Sequence, residues 1–254
     1  MKSHSKSYFR NQLKVETFPL PASAAIIQPY FFPYIGYFQL LYSVEKVVFY
    51  DDVNFIKRGW INRNRILMNQ SDFIFTLPLK KASQNKQIQE LEIADLKSFQ
   101  KKFRQQLKFA YSKAPFYHEV SKMIESVLDT TYNNIADIAI ESVLSVFAYL
   151  NIEIDWMKSS TEFDQTHGQE KADRLINISK QLDCDTYINP IGGKELYSKE
   201  YFKLSGIELG FVQTGNIEYK QFDHAFVPCL SIIDLLMFND KDAASSLLIQ
   251  FQIV

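Results

Sequence analysis

Lys57, Arg58, Arg63 and Arg65 crowd into a short stretch of chain, with Trp60, Asn62 and Asn64 set between them. An arginine grips a phosphate or carboxylate through two parallel hydrogen bonds. An indole offers a face to a base or a sugar ring. Neutral amides offer a donor and an acceptor to hydroxyls. The pattern reads as a clamp for an anionic small molecule; a solvated basic loop is the plainer alternative, and the interleaved Trp and Asn favour the clamp. Just upstream stand Asp51 and Asp52. A carboxylate there would accept a proton, bind a ribose hydroxyl or hold Mg²⁺ with a substrate phosphate, or else cap a turn. Neighbours on an extended chain point opposite ways, so at most one of the two is expected to face a pocket.

Three further sets of residues qualify. Gln28, Tyr30 and Gly36 lie between an apolar run and the helix after it, where helix N–H groups point at phosphates; Tyr30, Phe31, Phe32 and Tyr34 would equally well pack the sheet end. Ser159, Ser160, His167, Lys171 and Arg174 form a second polar region. A histidine's side chain can act as acid or base, a role open to His167, although a histidine beside Gly168 is more often an ordinary loop residue. Lys171 and Arg174 are three apart, on one helix face, and would reach a common anion. Asn189, Gly192 and Gly193 end a short strand, where paired glycines let backbone approach a ligand; a plain turn reads the same. His118 and His224 have no partners in sequence and read as structural, and Ser231 lacks the context of a hydrolase nucleophile.

These residues need strands to end where they begin. Residues 24–28 read as a buried strand, 35–44 as a helix and 46–50 as a second strand, so this βαβ unit predicts a parallel pair. Residues 63–68 and 73–77 flank a polar turn and read as a hairpin, with 87–93 as a further strand. Helical spacing follows over 96–111, 115–128 and 134–150. Residues 152–156, 187–188 and 207–212 read as strands, and 169–182, 231–238 and 243–251 as helices. The whole is α/β, a Rossmann-like parallel sheet with a helical insert or subdomain at about 95–150. One domain over 23–254 is expected, after an N-terminal extension, 1–22, that reads as disordered.

Composition narrows the ligand. A net charge of −1 argues against a general nucleic-acid binder. The cations between Lys57 and Lys86 face only Asp72, and such a local basic patch suits a phosphorylated or nucleotide-linked small molecule better than a long polyanion. Cys184 and Cys229 form no metal-binding pattern and read as buried free thiols in a reducing compartment. No membrane span and no signal peptide is expected, which gives a cytoplasmic location.

The segment IIQPYFFPYIGYF, with APFY at 114–117, YINPIGGKELY at 187–197 and FVPCLSIIDLLMFN at 226–239, resembles the WbqC-like family over about residues 24–239. That family is associated with bacterial surface-polysaccharide (O-antigen) gene clusters. That context, taken with the composition of the candidate site, leads to the expectation of a transferase acting on a nucleotide-activated sugar or an activated acyl or aminoacyl donor, with other polysaccharide-biosynthesis enzymes as partners. It names no cofactor; Mg²⁺ would accompany a phosphorylated substrate. A non-catalytic nucleotide- or carbohydrate-binding partner of such enzymes is the alternative, and single-stranded nucleic-acid binding through Trp60 a third. The loop at Gln28 is placed like the HxGH motif of class I nucleotidyltransferases, but the histidines of that motif are absent, which argues against adenylyl transfer by that route.

Overall fold

The computed structural model describes residues 22–254; the expected N-terminal extension lies outside them apart from its last residue. Six strands form the main sheet: β1 (Ser23–Ile27), β2 (Lys46–Phe49), β5 (Asp155–Lys158), β6 (Thr186–Pro190), β7 (Glu208–Thr214) and β8 (Phe251–Ile253), in the order β5-β2-β1-β6-β7-β8. All neighbours are parallel except β7 and β8. The fold is the α/β, Rossmann-like sheet expected, with helices on both faces. Alternation along the strands explains the two layers. Ala25, Val47, Phe49 and Ile188 face one core, while Ile26, Val48 and Tyr187 face the other.

The larger core lies under α1 (Ile35–Ser43), α2 (Leu96–Tyr111), α3 (Tyr117–Leu128), α4 (Ile135–Tyr149), α8 (Ile232–Phe238) and α9 (Lys241–Leu248). Asp95, Asn134 and Asp240 cap the N-termini of α2, α4 and α9 by accepting from backbone N–H groups. Against the smaller core pack α6 (Lys171–Gln181) and α7 (Lys199–Leu204), while the short α5 (Ser159–Glu162) follows β5 directly. A separate hairpin, β3 (Arg63–Met68) and β4 (Ser71–Thr76), turns at Asn69-Gln70, both with positive φ (53° and 62°), the backbone of a two-residue primed turn.

Two elements differ from the sequence reading. Residues 87–93 form no strand; Gln87 and Glu90 close a capping box around a single 3₁₀ turn (Ile88–Glu90), and the segment's bridges to others, Asn54 to Gln87 and Leu79 to Ile93, are isolated ones. The last expected helix stops at Leu248, and Phe251–Ile253 pairs antiparallel with β7, covering that edge of the sheet.

The chain enters the sheet at β1, runs to β2 on one side and later to β6 on the other. The topological switch point therefore lies between β1 and β6. Pairing there is short. Only Ser23–Thr186 and Ala24–Tyr187 are in register, against four pairs between β1 and β2 and five between β6 and β7. Beyond Ala24–Tyr187 the two strands are not paired, and the Tyr187 hydroxyl, rather than a strand partner, reaches the Ile26 carbonyl at 3.4 Å.

Candidate functional site

The loop after β1 is held rigidly. Phe32 has φ 43°, a conformation a bulky side chain adopts at a cost of about 1–3 kcal/mol. Three hydrogen bonds fix it: its N–H donates to Ser142 Oγ (2.9 Å), and its carbonyl accepts from Asn64 Nδ2 (2.9 Å) and Ser231 Oγ (2.7 Å). Phe31 and Phe32 are fully buried, so these two rings pack the core. Tyr30 lies against Tyr37, ring centroids 5.4 Å apart, and the Tyr37 hydroxyl donates to the Gln28 carbonyl (2.8 Å). Gly36 has a packing reason for its identity: a Cβ there would stand 2.4 Å from the Tyr34 ring and 2.6 Å from Thr214 Oγ1.

Asp51 and Asp52 follow β2, and both are buried among protein partners rather than turned to opposite sides. The strand ends at Phe49, and Asp51 N–H bonds back to the Phe49 carbonyl (3.1 Å), a tight turn that breaks the alternation of an extended chain. Both carboxyl groups meet Ser159, first residue of α5. Its hydroxyl stands 2.5 Å from Asp52 Oδ1 and 3.2 Å from Asp51 Oδ1, and has one proton to give. Asp51 also accepts from the Ser160 N–H (3.0 Å) and Ser160 Oγ (2.7 Å). On its other oxygen Asp52 receives Arg174 Nη2 at 2.5 Å. Arg174 and Asp52 are both nearly enclosed, at 3% and 4% exposure. Arg174 also donates to Thr166 Oγ1 (2.9 Å) and lies 4.7 Å over the Tyr50 ring. Burial pulls this guanidinium's pKa down, but the hydrogen bond to Asp52 and the charges of Tyr50 and Asp52 outweigh it and leave it raised.

This knot ties together the carboxyl ends of β2 and β5 and the first turns of α6. It also separates Arg174 from Lys171, which is exposed, so the two do not share an anion. His167 is exposed, and its Nε2 lies 2.6 Å from Gln87 Nε2. Gln87 Oε1 accepts from Gln89 Nε2 (2.8 Å), which leaves the Gln87 amide as the donor to His167.

The basic loop divides into engaged and open cations. Arg63 donates to the carbonyls of Gly59 and Arg58. Arg65 donates to the Cys229 carbonyl (2.9 Å) and pairs with Asp72 (3.3 Å). Both guanidiniums approach Trp60, at 5.3 and 5.5 Å, and Trp60 remains 39% exposed. Asn62 Nδ2 donates to the Leu77 carbonyl (2.8 Å). Lys57 and Arg58 are exposed and, among the described residues, make no ion pair. At the end of β6, Gly192 is open, whereas a Cβ on Gly193 would lie 2.4 Å from Asn189 Nδ2. Cys184 is buried as expected, but Cys229, read as buried, is exposed, because it sits at a left-handed turn (φ 56°) outside the core.

The family model described as WbqC-like protein family matches residues 28–246. The chain belongs to the WbqC-like protein family. An uncharacterized protein of Mycobacterium tuberculosis, Rv1507c, is 29% identical over 218 residues, which cover 85% of this chain and 92% of that protein. No solved structure matches. The matched residues run from Gln28 through α6 and the Asn189 turn, so every candidate residue of this WbqC-like chain lies inside the family region, while β1 itself ends just before it. Tyr50, Thr166 and Gln87 join the site only in three dimensions; their one signal in sequence was proximity to a strand end or to His167. No helix among the described residues is long and apolar enough to cross a membrane.

Proposed function

We propose that this chain is a cytoplasmic transferase of surface-polysaccharide biosynthesis that binds a nucleotide-activated sugar, or an activated acyl or aminoacyl donor, at the carboxyl edge of its parallel sheet. The observation that carries the reading is the gathering of polar groups at that edge. Gln28, Asp51, Asp52, Ser159 and Asn189 all follow or end parallel strands around a switch point, where open α/β sheets take ligands. Lys57 and Arg58, which have no carboxylate partner, supply charge for a phosphate; Arg63, Arg65 and Trp60 brace that loop and offer an indole face.

The aspartates act here as positioning groups. Their oxygens are occupied by Ser159, Ser160 and Arg174, and the guanidinium beside Asp52 opposes a cation. Asp51 and Asp52 therefore do not fit a Mg²⁺ site, and no step is drawn through a metal. Among the described residues no cluster of three His, Cys, Asp or Glu offers another. His167 is the one residue of the expected acid–base set open to solvent; the Gln87 amide occupies its Nε2 lone pair, so it takes the role of proton acceptor from the acceptor substrate once Gln87 is displaced. The enclosure of both aspartates equally favours a second reading, a non-catalytic nucleotide- or carbohydrate-binding partner of other assembly enzymes.

A thermal-shift screen with nucleotides, nucleotide-sugars and acyl-coenzyme A tests the site. A ligand present at about a hundred times its dissociation constant adds about 2.7 kcal/mol, a rise of about 5–11 °C at 2–4 °C per kcal/mol. The rise is expected with one donor class and is expected to shrink in Lys57→Ala/Arg58→Ala. No rise with any donor contradicts the proposal. Binding without turnover in any donor and acceptor pair selects the binding-partner reading.

A further inference from the structure

Open α/β sheets leave a crevice outside the strand ends at a switch point, here between β1 and β6; Asn189 and Gln28 bring neutral amides to it, while Arg174 and Lys199 lie over the flanking rings of Tyr50 and Phe211. Asn189 ends β6 and is nine-tenths buried, at 9% exposure, yet its amide has no hydrogen-bond partner among the described residues. It is absent from the sealed, unpaired polar atoms, so the tip of the side chain is the part that solvent reaches. Such an amide is free to exchange water for a ligand hydroxyl, and Gly193 lies against it, since a Cβ there would stand 2.4 Å from Nδ2. Asn189 shares its strand face with Tyr187, two residues before it. On that face lie aromatic rings: Tyr187 stacked on Phe202 (5.6 Å, 13°), Tyr197 edge-on to Phe202 (5.9 Å), and Tyr50 beneath Arg174. Tyr197 is near enough to Tyr50 and Tyr187 to perturb their ionisation. Burial raises the pKa of the Tyr50 and Tyr197 phenols, so they stay O–H donors at neutral pH. Gln28, half-buried directly after β1, brings a second amide with no partner to the same edge.

We infer that this crevice between β1 and β6 binds a ring bearing vicinal hydroxyls, with the Asn189 amide, assisted by Gln28, taking the diol and Tyr50 and Tyr197 flanking the ring. A neutral amide donates to one hydroxyl and accepts from the next, whereas a carboxylate accepts from both and donates to neither. A phosphate would leave the carbonyl of Asn189 facing an anion, so the charged end of the ligand belongs at Lys57 and Arg58. The diol belongs either to the ribose of a nucleotide or to the pyranose of a sugar phosphate. The inference rests on the edge being the ligand site proposed above and deepens it.

Calorimetric titration of the full chain separates the possibilities. Uridine 5′-diphosphate is compared with its 2′,3′-dideoxy counterpart, and glucose 1-phosphate with pyrophosphate. Uridine and glucose carry the rings without phosphate. A diol-bearing probe is expected to bind about tenfold tighter than its diol-free counterpart. Asn189→Ala should erase that advantage and leave the diol-free probes unchanged; Asn189→Leu, which keeps the bulk but loses both donor and acceptor, should do the same. A preference confined to the uridine pair assigns ribose, and one confined to glucose 1-phosphate assigns a pyranose. Equal binding with and without the diol, an equal loss of all probes in Asn189→Ala, or no binding of any probe overturns the inference. If instead uridine or glucose keeps its dependence on Asn189 while pyrophosphate does not bind, the crevice stands and the anion reading of the basic loop falls.

Discussion

Removing Arg174 should cost this protein more than removing any surface ion pair. Arg174→Met leaves the Asp52 carboxyl group in a site that is 4% exposed, with the Ser159 hydroxyl as its one remaining donor. Breaking a buried pair on one side costs about 3–5 kcal/mol, because the partner stays buried and uncompensated. The lost hydrogen bond to Thr166 and the contact with Tyr50 act in the same direction. At 2–4 °C per kcal/mol the melting temperature should fall by about 6–20 °C. The double variant Asp52→Leu/Arg174→Met should recover much of that loss, since an apolar replacement of the whole pair carries no orphaned charge. Lys46→Ala is the internal control. It removes a pair with Asp155 whose side chains are 36% and 53% exposed, worth about 1 kcal/mol at most. Differential scanning calorimetry on the four proteins decides the matter. A fall of less than about 2 °C in Arg174→Met, or a double variant no more stable than the single, refutes the account of a dry, mutually dependent pair.

Other consequences follow from the same coordinates. Burial pushes the Cys184 thiol up to about 11, whereas Cys229 is exposed, so a thiol reagent at pH 8 should label Cys229 alone in the native protein and both after denaturation; two rapid equivalents in the native state would contradict this. Burial also raises the pKa of Asp234 despite the hydroxyls of Tyr219 and Tyr111 and the Gln221 amide that donate to it. A raised folded-state value means that its contribution to stability is complete below the unfolded carboxyl pKa, about 3.9, and is lost as pH rises through the folded value. The melting temperature of wild type relative to Asp234→Asn should therefore decline as pH rises from about 4, and a difference that is flat or grows would count against it. Gly193→Ala should displace the flexible Asn189 amide with little loss of stability, yet weaken diol-bearing probes as Asn189→Ala does; unchanged binding would show that the amide does not face the ligand.

What could be read in advance followed physical range. The βαβ unit at the start of the domain was legible because β-branched strands, prolines and helical spacing are local signals. The Asn69-Gln70 hairpin was legible for the same reason. The C-terminal strand was not: Phe251–Ile253 is apolar enough to continue a helix, and only β7 as a partner makes it a strand. The polar residues that end the strands are legible because strand ends are local signals, yet their partners are not. Asp52 and Arg174 are 122 residues apart, and no spacing announces that one guanidinium will turn inward while Lys171 turns out. In the basic loop, Arg63 and Arg65 carry the charge that suggested a clamp, and it is their hydrogen bonds to carbonyls that separate them from Lys57 and Arg58.

The central claim is that the donor sits at the carboxyl edge of the sheet, across the β1–β6 switch point. Hydrogen exchange of the full chain, with and without a uridine diphosphate sugar at saturating concentration, tests it most directly. The account predicts added protection in residues 28–34, 50–60 and 189–194. Protection confined to other surfaces, such as the outward face of α6, or none at all, would contradict it.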